Sequence, residues 1–198
     1  KPMDEFVGNL RTFDISGNRI VWMDERSGNP QLFLFDLTTN TEQQIPTLNP
    51  SKPDGIAIFG DKIVWIDALQ GNHPISNKGL LLFDLVTNKV RKLQVVNANV
   101  NATVVENPHI HGNLIIWTGF TAGSSDVFMY DLTTEVVHLI KSGIGDSNMS
   151  RISGKRVVFR DLPISLLSVA KHPLICHHDG DINGDGQITT SDAQMAFN

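Results

Sequence analysis

Four times in its 198 residues the chain returns to one short phrase. It reads "ISGNRIVWMD" at Ile15–Asp24, "IFGDKIVWID" at Ile58–Asp67, "IHGNLIIWTG" at Ile110–Gly119 and "ISGKRVVFRD" at Ile152–Asp161. Each copy sets a glycine ahead of a mostly β-branched pair and an aromatic. The aromatics Trp22, Trp65, Trp117 and Phe159 stand 43, 52 and 42 residues apart. A repeat of this length is one supersecondary unit that cannot bury its apolar surface alone and must stack on its neighbours.

A second element follows in three of the copies: "LFLFDLTTN" (Leu32–Asn40), "LLLFDLVTN" (Leu80–Asn88) and "VFMYDLTTE" (Val127–Glu135). Runs rich in Phe, Val and Leu, closed by Asp, Thr and Asn, are strands entering turns. The Asp and Thr oxygens of Asp-Leu-x-Thr are suited to accept bonds from nearby backbone N–H groups. The Gly, Ser and Asn-rich stretches "ERSGNP", "ALQGNHPISNKG" and "TAGSSD" between the two elements are hairpin loops of variable length. A shorter strand follows each turn, as "TEQQIP", "KVRKLQ" and "VVHLIK". The strands are apolar on both faces, so both faces of each sheet must be covered. Sheets stacked face to face around an axis achieve this, which makes the fold class all-β and the architecture a β-propeller. A sandwich would not need the same unit every 40 to 50 residues.

The stretch "ISGNRIVWMDERSGNPQLFLFDLTTNTEQQI" resembles the blade repeat of TolB-like β-propellers, especially those of archaeal and bacterial cell-surface proteins. The resemblance covers residues 13–161. It implies a propeller fold, which carries many different functions. Copy three departs from the pattern by placing Thr118-Gly119 where the others keep Asp24, Asp67 and Asp161. Copy four lacks the Asp-Leu-Thr turn, since "LPISLLSVAKHPLICHH" follows Asp161. The expected organisation is three full blades and a partial fourth over 1–165, a linker over 166–178, and a separate segment over 179–198. The family's usual six to eight blades imply a fragment of a larger ring. A fourth sheet completed by residues 1–12, or a closed four-bladed ring, are the alternatives. An open arc leaves two sheet faces bare and invites self-association.

The tail carries the chain's clearest chemical motif, "DINGDGQITTSD" at 181–192. Calcium takes six to eight oxygens, and a twelve-residue loop supplies them from positions 1, 3, 5, 7, 9 and 12, with glycine at 6 for the turn. Those places hold Asp181, Asn183, Asp185, Gln187 by its carbonyl, Thr189 and Asp192, with Gly186 at the turn and Ile188 as the apolar anchor. The expected cofactor is therefore calcium, in an EF-hand-like loop. Asp at the twelfth place departs from a sensor hand. "GDINGDGQITTSDAQMAF" is similar to the first half of a type I dockerin, which implies a cohesin-like protein partner. A whole dockerin has two such loops, and this chain shows one.

Other candidates have plainer readings. "HPLICHHDG" at 172–180 gathers His172, His177, His178 and Cys176, but contiguously and after a linker, where zinc sites show paired ligands at both ends of a loop. A single cysteine excludes an intrachain disulfide framework. Asn101-Ala102-Thr103 and Asn148-Met149-Ser150 match the glycosylation acceptor pattern, in agreement with an exported protein. Trp22, Trp65 and Trp117 sit inside apolar strands and belong to the core rather than to a sugar-stacking surface. Asp24, Asp67 and Asp161 recur near strand ends, where their expected role is to bond loop backbone.

A formal net charge of −5 offers no basic surface for nucleic acid, and no apolar run reaches the length of a membrane span. The sequence contains no nucleophile–base set, no paired carboxylates in a shared motif and no Gly-rich phosphate loop. The expectation is a non-catalytic, extracellular or cell-surface interaction module that presents loops to a protein or glycan. A polysaccharide lyase or hydrolase on the same scaffold is the alternative from a different class, since dockerin-like modules accompany such enzymes. A structural surface-layer repeat is the third.

Overall fold

The computed structural model describes residues 12–26, 28, 30–47, 53–68, 78–95, 105–121, 124–142, 150–154, 156–161 and 166–171. These form fifteen strands in four antiparallel sheets. The first holds β1 (Phe13–Ser16), β2 (Arg19–Asp24), β3 (Gln31–Asp36) and β4 (Thr41–Ile45). The second holds β5 (Asp54–Phe59), β6 (Lys62–Ala68), β7 (Lys78–Asp84) and β8 (Lys89–Lys92). The third holds β9 (Val105–His111), β10 (Leu114–Thr121), β11 (Ser124–Asp131) and β12 (Val136–Lys141). The fourth holds β13 (Ser150–Ser153), β14 (Arg156–Asp161) and β15 (Leu166–Lys171). Within every sheet, strands lie in sequence order, as an up-and-down meander.

Each of the first three repeats therefore has one more strand than the three its apolar runs suggest. The glycine of the repeated phrase is a hairpin turn rather than the interior of a strand. Ser16 pairs with Arg19, so Gly17 and Asn18 are a two-residue loop, and Gly17 has φ +57°. A positive φ at Gly17 without one at Asn18 is the II′ geometry, whose twist matches that of the flanking strands. The fourth sheet also extends past 165. Leu166–Lys171, six residues expected as linker, are strand β15, paired with β14 from Arg156↔Lys171 to Asp161↔Leu166.

The Asp-Leu-x-Thr turns form as their side chains dictate. Asp36 Oδ1 accepts from the backbone N–H of Thr38 at 2.8 Å and of Thr39 at 3.2 Å. Asp84 Oδ1 does the same for Val86 and Thr87, and Asp131 Oδ1 accepts from Thr133 N at 2.7 Å. The leucine of each turn donates its N–H to the second residue of the Gly-containing turn beside it: Leu37 to Asn18, Leu85 to Asp61 and Leu132 to Asn113, each at 2.8 Å. One end of each of the first three sheets is thus tied by the same backbone and carboxylate bonds.

Face-to-face stacking assembles the core. Val21, Met23, Leu32 and Leu34 of the first sheet meet Ile58, Ile63, Trp65, Leu81 and Phe83 of the second. The opposite face of the second, with Val64, Ile66, Leu80 and Leu82, meets Ile115, Trp117, Phe128 and Tyr130 of the third. The third then presents Ile116, Val127 and Met129 to Ile152, Val157 and Phe159 of the fourth. Because strand side chains alternate between faces, Trp65, Trp117 and Phe159 point to the preceding sheet, while the adjacent Val64 and Ile116 point to the following one. Trp65 and Trp117 are fully buried there.

Trp22 keeps the same orientation on the outer face of the first sheet. It stacks on Phe33 at 5.8 Å, beside Phe35, with the Arg26 guanidinium 4.6 Å from the Phe33 ring. All three tryptophans are therefore core residues, at 0 to 2 % exposure, and none offers a sugar-stacking surface.

Candidate functional site

The first strand of each sheet lines the inner side of the stack, where β1 packs on β5, β5 on β9 and β9 on β13. Polar side chains clip these inner strands together. Asp14 Oδ2 accepts from Ile58 N at 2.8 Å, and Ser16 Oγ from Gly60 N at 3.1 Å. At the position equivalent to Asp14, His109 Nδ1 accepts from Ile152 N at 3.4 Å. Between the second and third sheets the clip is replaced by packing, with Phe59 against the His111 ring at 4.2 Å.

His109 is thereby held neutral, with its proton on Nε2. Burial pushes its pKa below the ordinary histidine value and the Arg151 charge lowers it further, against the opposing pull of Asp14. A depressed folded-state pKa contributes stability that is present above the unfolded value of about 6.5 and lost as pH falls through the folded one. The thermal midpoint should fall between pH 7.5 and pH 5, and the His109→Asn variant should show a smaller fall over the same interval. Equal slopes for the two proteins would show that His109 does not titrate this way.

Of the strand-end aspartates, Asp24 bonds the loop that follows it. Asp24 is 5 % exposed; its Oδ1 accepts from Arg26 N at 2.7 Å and its Oδ2 from Arg26 Nε at 2.5 Å. Burial raises the Asp24 carboxyl, but the Arg26 bonds and the Trp22 indole outweigh it and hold the group below the usual carboxylate range. In the third copy, which lacks this aspartate, Gly119 lies directly across from Asp126 in β11. Asp126 is 3 % exposed, so a buried carboxylate is supplied from the neighbouring strand instead.

Two grooves open between sheets at the end tied by the Asp-Leu-x-Thr turns. The first, of about 420 Å³, lies between the first and second sheets and is lined by Arg19, Asp36, Thr41, Gln43, Leu85 and Asn88 among others. Arg19 bridges it, reaching Asp36 at 3.5 Å, Gly60 O at 3.1 Å and Asp61. The second, of about 530 Å³, occupies the equivalent place between the second and third sheets. Its floor is Leu82, Val90 and Leu132, and its polar walls are Lys62, Asp84, Thr87, Lys89, Arg91, Asn113 and Thr133. Arg91 crosses to Glu135 of the third sheet at 2.8 Å.

The calcium ligands expected at Asp181, Asn183, Asp185, Gln187, Thr189 and Asp192 lie outside the described residues. So do Cys176, His172, His177, His178 and the acceptor asparagines Asn101 and Asn148. Among the described residues no group of three His, Cys, Asp or Glu could hold a metal ion, and no helix is long and apolar enough to cross a membrane.

No family model and no curated protein sequence matches the chain. Solved structures do. TolB from Acinetobacter baumannii superposes with a TM-score of 0.62 at 15% identity, over 82% of this chain and 43% of that one. A putative TolB from Agrobacterium tumefaciens gives 0.54 at 16% identity, over 72% and 50%. The β-propeller domain of the Trilobed protease from Pyrococcus furiosus, described as having an open velcro topology, gives 0.57 at 13% identity, over 82% and 52%. The chain spans about half the length of these structures. At such identities the likeness establishes the fold alone: the sheets are β-propeller blades.

Proposed function

We propose that the chain is a non-catalytic interaction module of an extracellular or cell-surface protein, presenting inter-blade surfaces to a glycan or protein partner. The observation that carries this is the contrast between frame and lining. The turn bonds repeat from blade to blade, whereas the side chains facing the grooves change: Arg19 becomes Lys62, Thr41 becomes Lys89 and Gln43 becomes Arg91. A constant scaffold with a varied lining suits recognition.

The blades belong to a ring larger than the four sheets described. Inner strands pack in series, and among the described residues β13 makes no substantial contact back to β1. The Trp22 and Phe33 face repeats the arrangement that elsewhere receives a preceding blade.

The tail segment 179–198 binds calcium through Asp181, Asn183, Asp185, Gln187, Thr189 and Asp192, and in the parent protein takes a cohesin-like partner. The tail is tested by calorimetry. Calcium should give a saturable heat at or below about millimolar concentration, in the affinity range of extracellular calcium modules. The Asp181→Ala variant should lose it; heat unchanged by that substitution would count against the loop. The module reading is tested by a glycan array and a protein pull-down run alongside product analysis. Retention of a ligand without bond cleavage is expected, and cleavage by the purified protein would establish an enzyme instead.

A further inference from the structure

The two equivalent grooves differ in one respect that bears on what the second can hold. In the first, Arg19 is neutralised in place by two carboxylates, Asp36 of its own blade and Asp61 of the next. In the second, Lys62 takes the place of Arg19, but the position of Asp61 is filled by Asn113, so the carboxylate that would come from the following blade is gone. Two further cations, Lys89 and Arg91, stand where the first groove has Thr41 and Gln43.

The remaining acids do not restore the balance. Asp84 accepts at Oδ1 from Val86 N, Thr87 N and Thr87 Oγ1 and stands across the strand pair from Lys62, so it offsets Lys62 as Asp36 offsets Arg19 and leaves nothing for a second cation. Glu135 engages Arg91 at the solvent-exposed rim. Three cations, Lys62, Lys89 and Arg91, thus face two acids, so the second groove keeps a local excess of positive charge on a chain of net charge −5, above an apolar floor, with its inter-blade bridge moved out to Arg91 and Glu135 at the rim.

We propose that this groove, between the second and third blades, binds an acidic saccharide through the carboxylate of a uronate unit. The proposal rests on the reading of the chain as a binding module. Lys62 and Lys89 take the sugar carboxylate, since ammonium groups are point donors for an anion. The apolar face of the ring lies on Leu82, Val90 and Leu132. Ring hydroxyls, which both donate and accept, find acceptors in Asp84 Oδ2 and the Thr87 and Thr133 oxygens, and a donor in Arg91. This mixture of donors and acceptors above an apolar floor suits a polyhydroxylated ring acid, whose hydroxyls donate and accept at neighbouring positions. A volume of about 530 Å³ lies within the usual range for a small-ligand site.

The test is titration of the full chain with digalacturonate, with lactose as the neutral disaccharide and an N-acetylated, C-amidated di-aspartate as the acidic peptide. Saturable binding of digalacturonate is expected, at least about tenfold tighter than lactose or the peptide, and weakening as salt is raised. The double variant Lys62→Ala/Lys89→Ala should lose about tenfold or more with its circular dichroism unchanged, while Gln43→Ala in the first groove should bind as the parent does. Absence of saturable digalacturonate binding, equal binding of lactose or of the peptide, or binding indifferent to the lysine substitutions would overturn the proposal. If array ligands are still retained under any of those outcomes, the wider module reading survives and only this groove assignment falls.

Discussion

Trp117→Ala should destabilise the protein by about 3–5 kcal/mol, the range for deleting a buried large aromatic. Trp117 is fully buried between the second and third blades, stacked on Phe128 at 5.7 Å and packed in the cluster that holds Val64, Ile66, Leu80 and Leu82. The loss has two parts, the transfer of the indole to water and a cavity that two sheets cannot close without shifting against each other. Trp117→Phe should cost less than half as much, because Phe159 fills the same place in the fourth copy. Denaturant unfolding reads both. The midpoint should drop strongly for alanine with little change in slope; a loss below about 1 kcal/mol would mean that the ring is not the inter-blade filler described.

The second large effect is expected at Gly55. The pairing of β5 with β6 shifts register between Asp54 and Ile56, and Gly55 occupies that bulge with φ +56°. A Cβ there would meet Pro108 Cδ of the third blade at 2.7 Å, and a proline ring has no flexible end to move aside. Gly55→Ala therefore combines left-handed backbone strain of about 1 kcal/mol with overpacking of about 1–3 kcal/mol. The expected total is about 2–4 kcal/mol, read as a lower denaturation midpoint. The third blade supplies an internal comparison. Asn107, at the equivalent bulge in β9, has φ +50°, and asparagine tolerates that conformation. Asn107→Gly should change stability by less than Gly55→Ala does. The reverse order would show that the bulge geometry is not what constrains these positions.

Much of this architecture is written in local chemistry. The recurring Gly-x-x-Ile-Val-Trp and Asp-Leu-x-Thr units are legible because each encodes its own turn, and the buried tryptophans follow from strands apolar on both faces. The inner strands are harder to see. "FDIS", "DGIAIF", "VENPHIH" and "SRIS" share no apolar pattern, since their polar residues clip the next blade and their identity changes with the neighbour they meet. The strand Leu166–Lys171 is hidden for a similar reason, as it lacks the Asp-Leu-Thr turn that marks its counterparts.

The buried carboxylate of the third blade could have been suspected from Asp126, yet only strand register shows that it stands across from Gly119. The groove chemistry lies furthest from the sequence. Lys62 and Asn113 are separated by a whole blade, and the missing carboxylate becomes apparent only when the two grooves are laid in correspondence.

The stacking of blades is tested most directly by native-state hydrogen exchange resolved by strand. Strands β6, β7 and β10 are covered on both faces, whereas β4, β8 and β12 form outer strands with largely exposed side chains. Amides of β6, β7 and β10 should exchange only through global unfolding, with one common free energy, and those of β4, β8 and β12 through smaller openings. Protection in β6 and β10 no greater than in β4 and β8 would contradict the face-to-face stack.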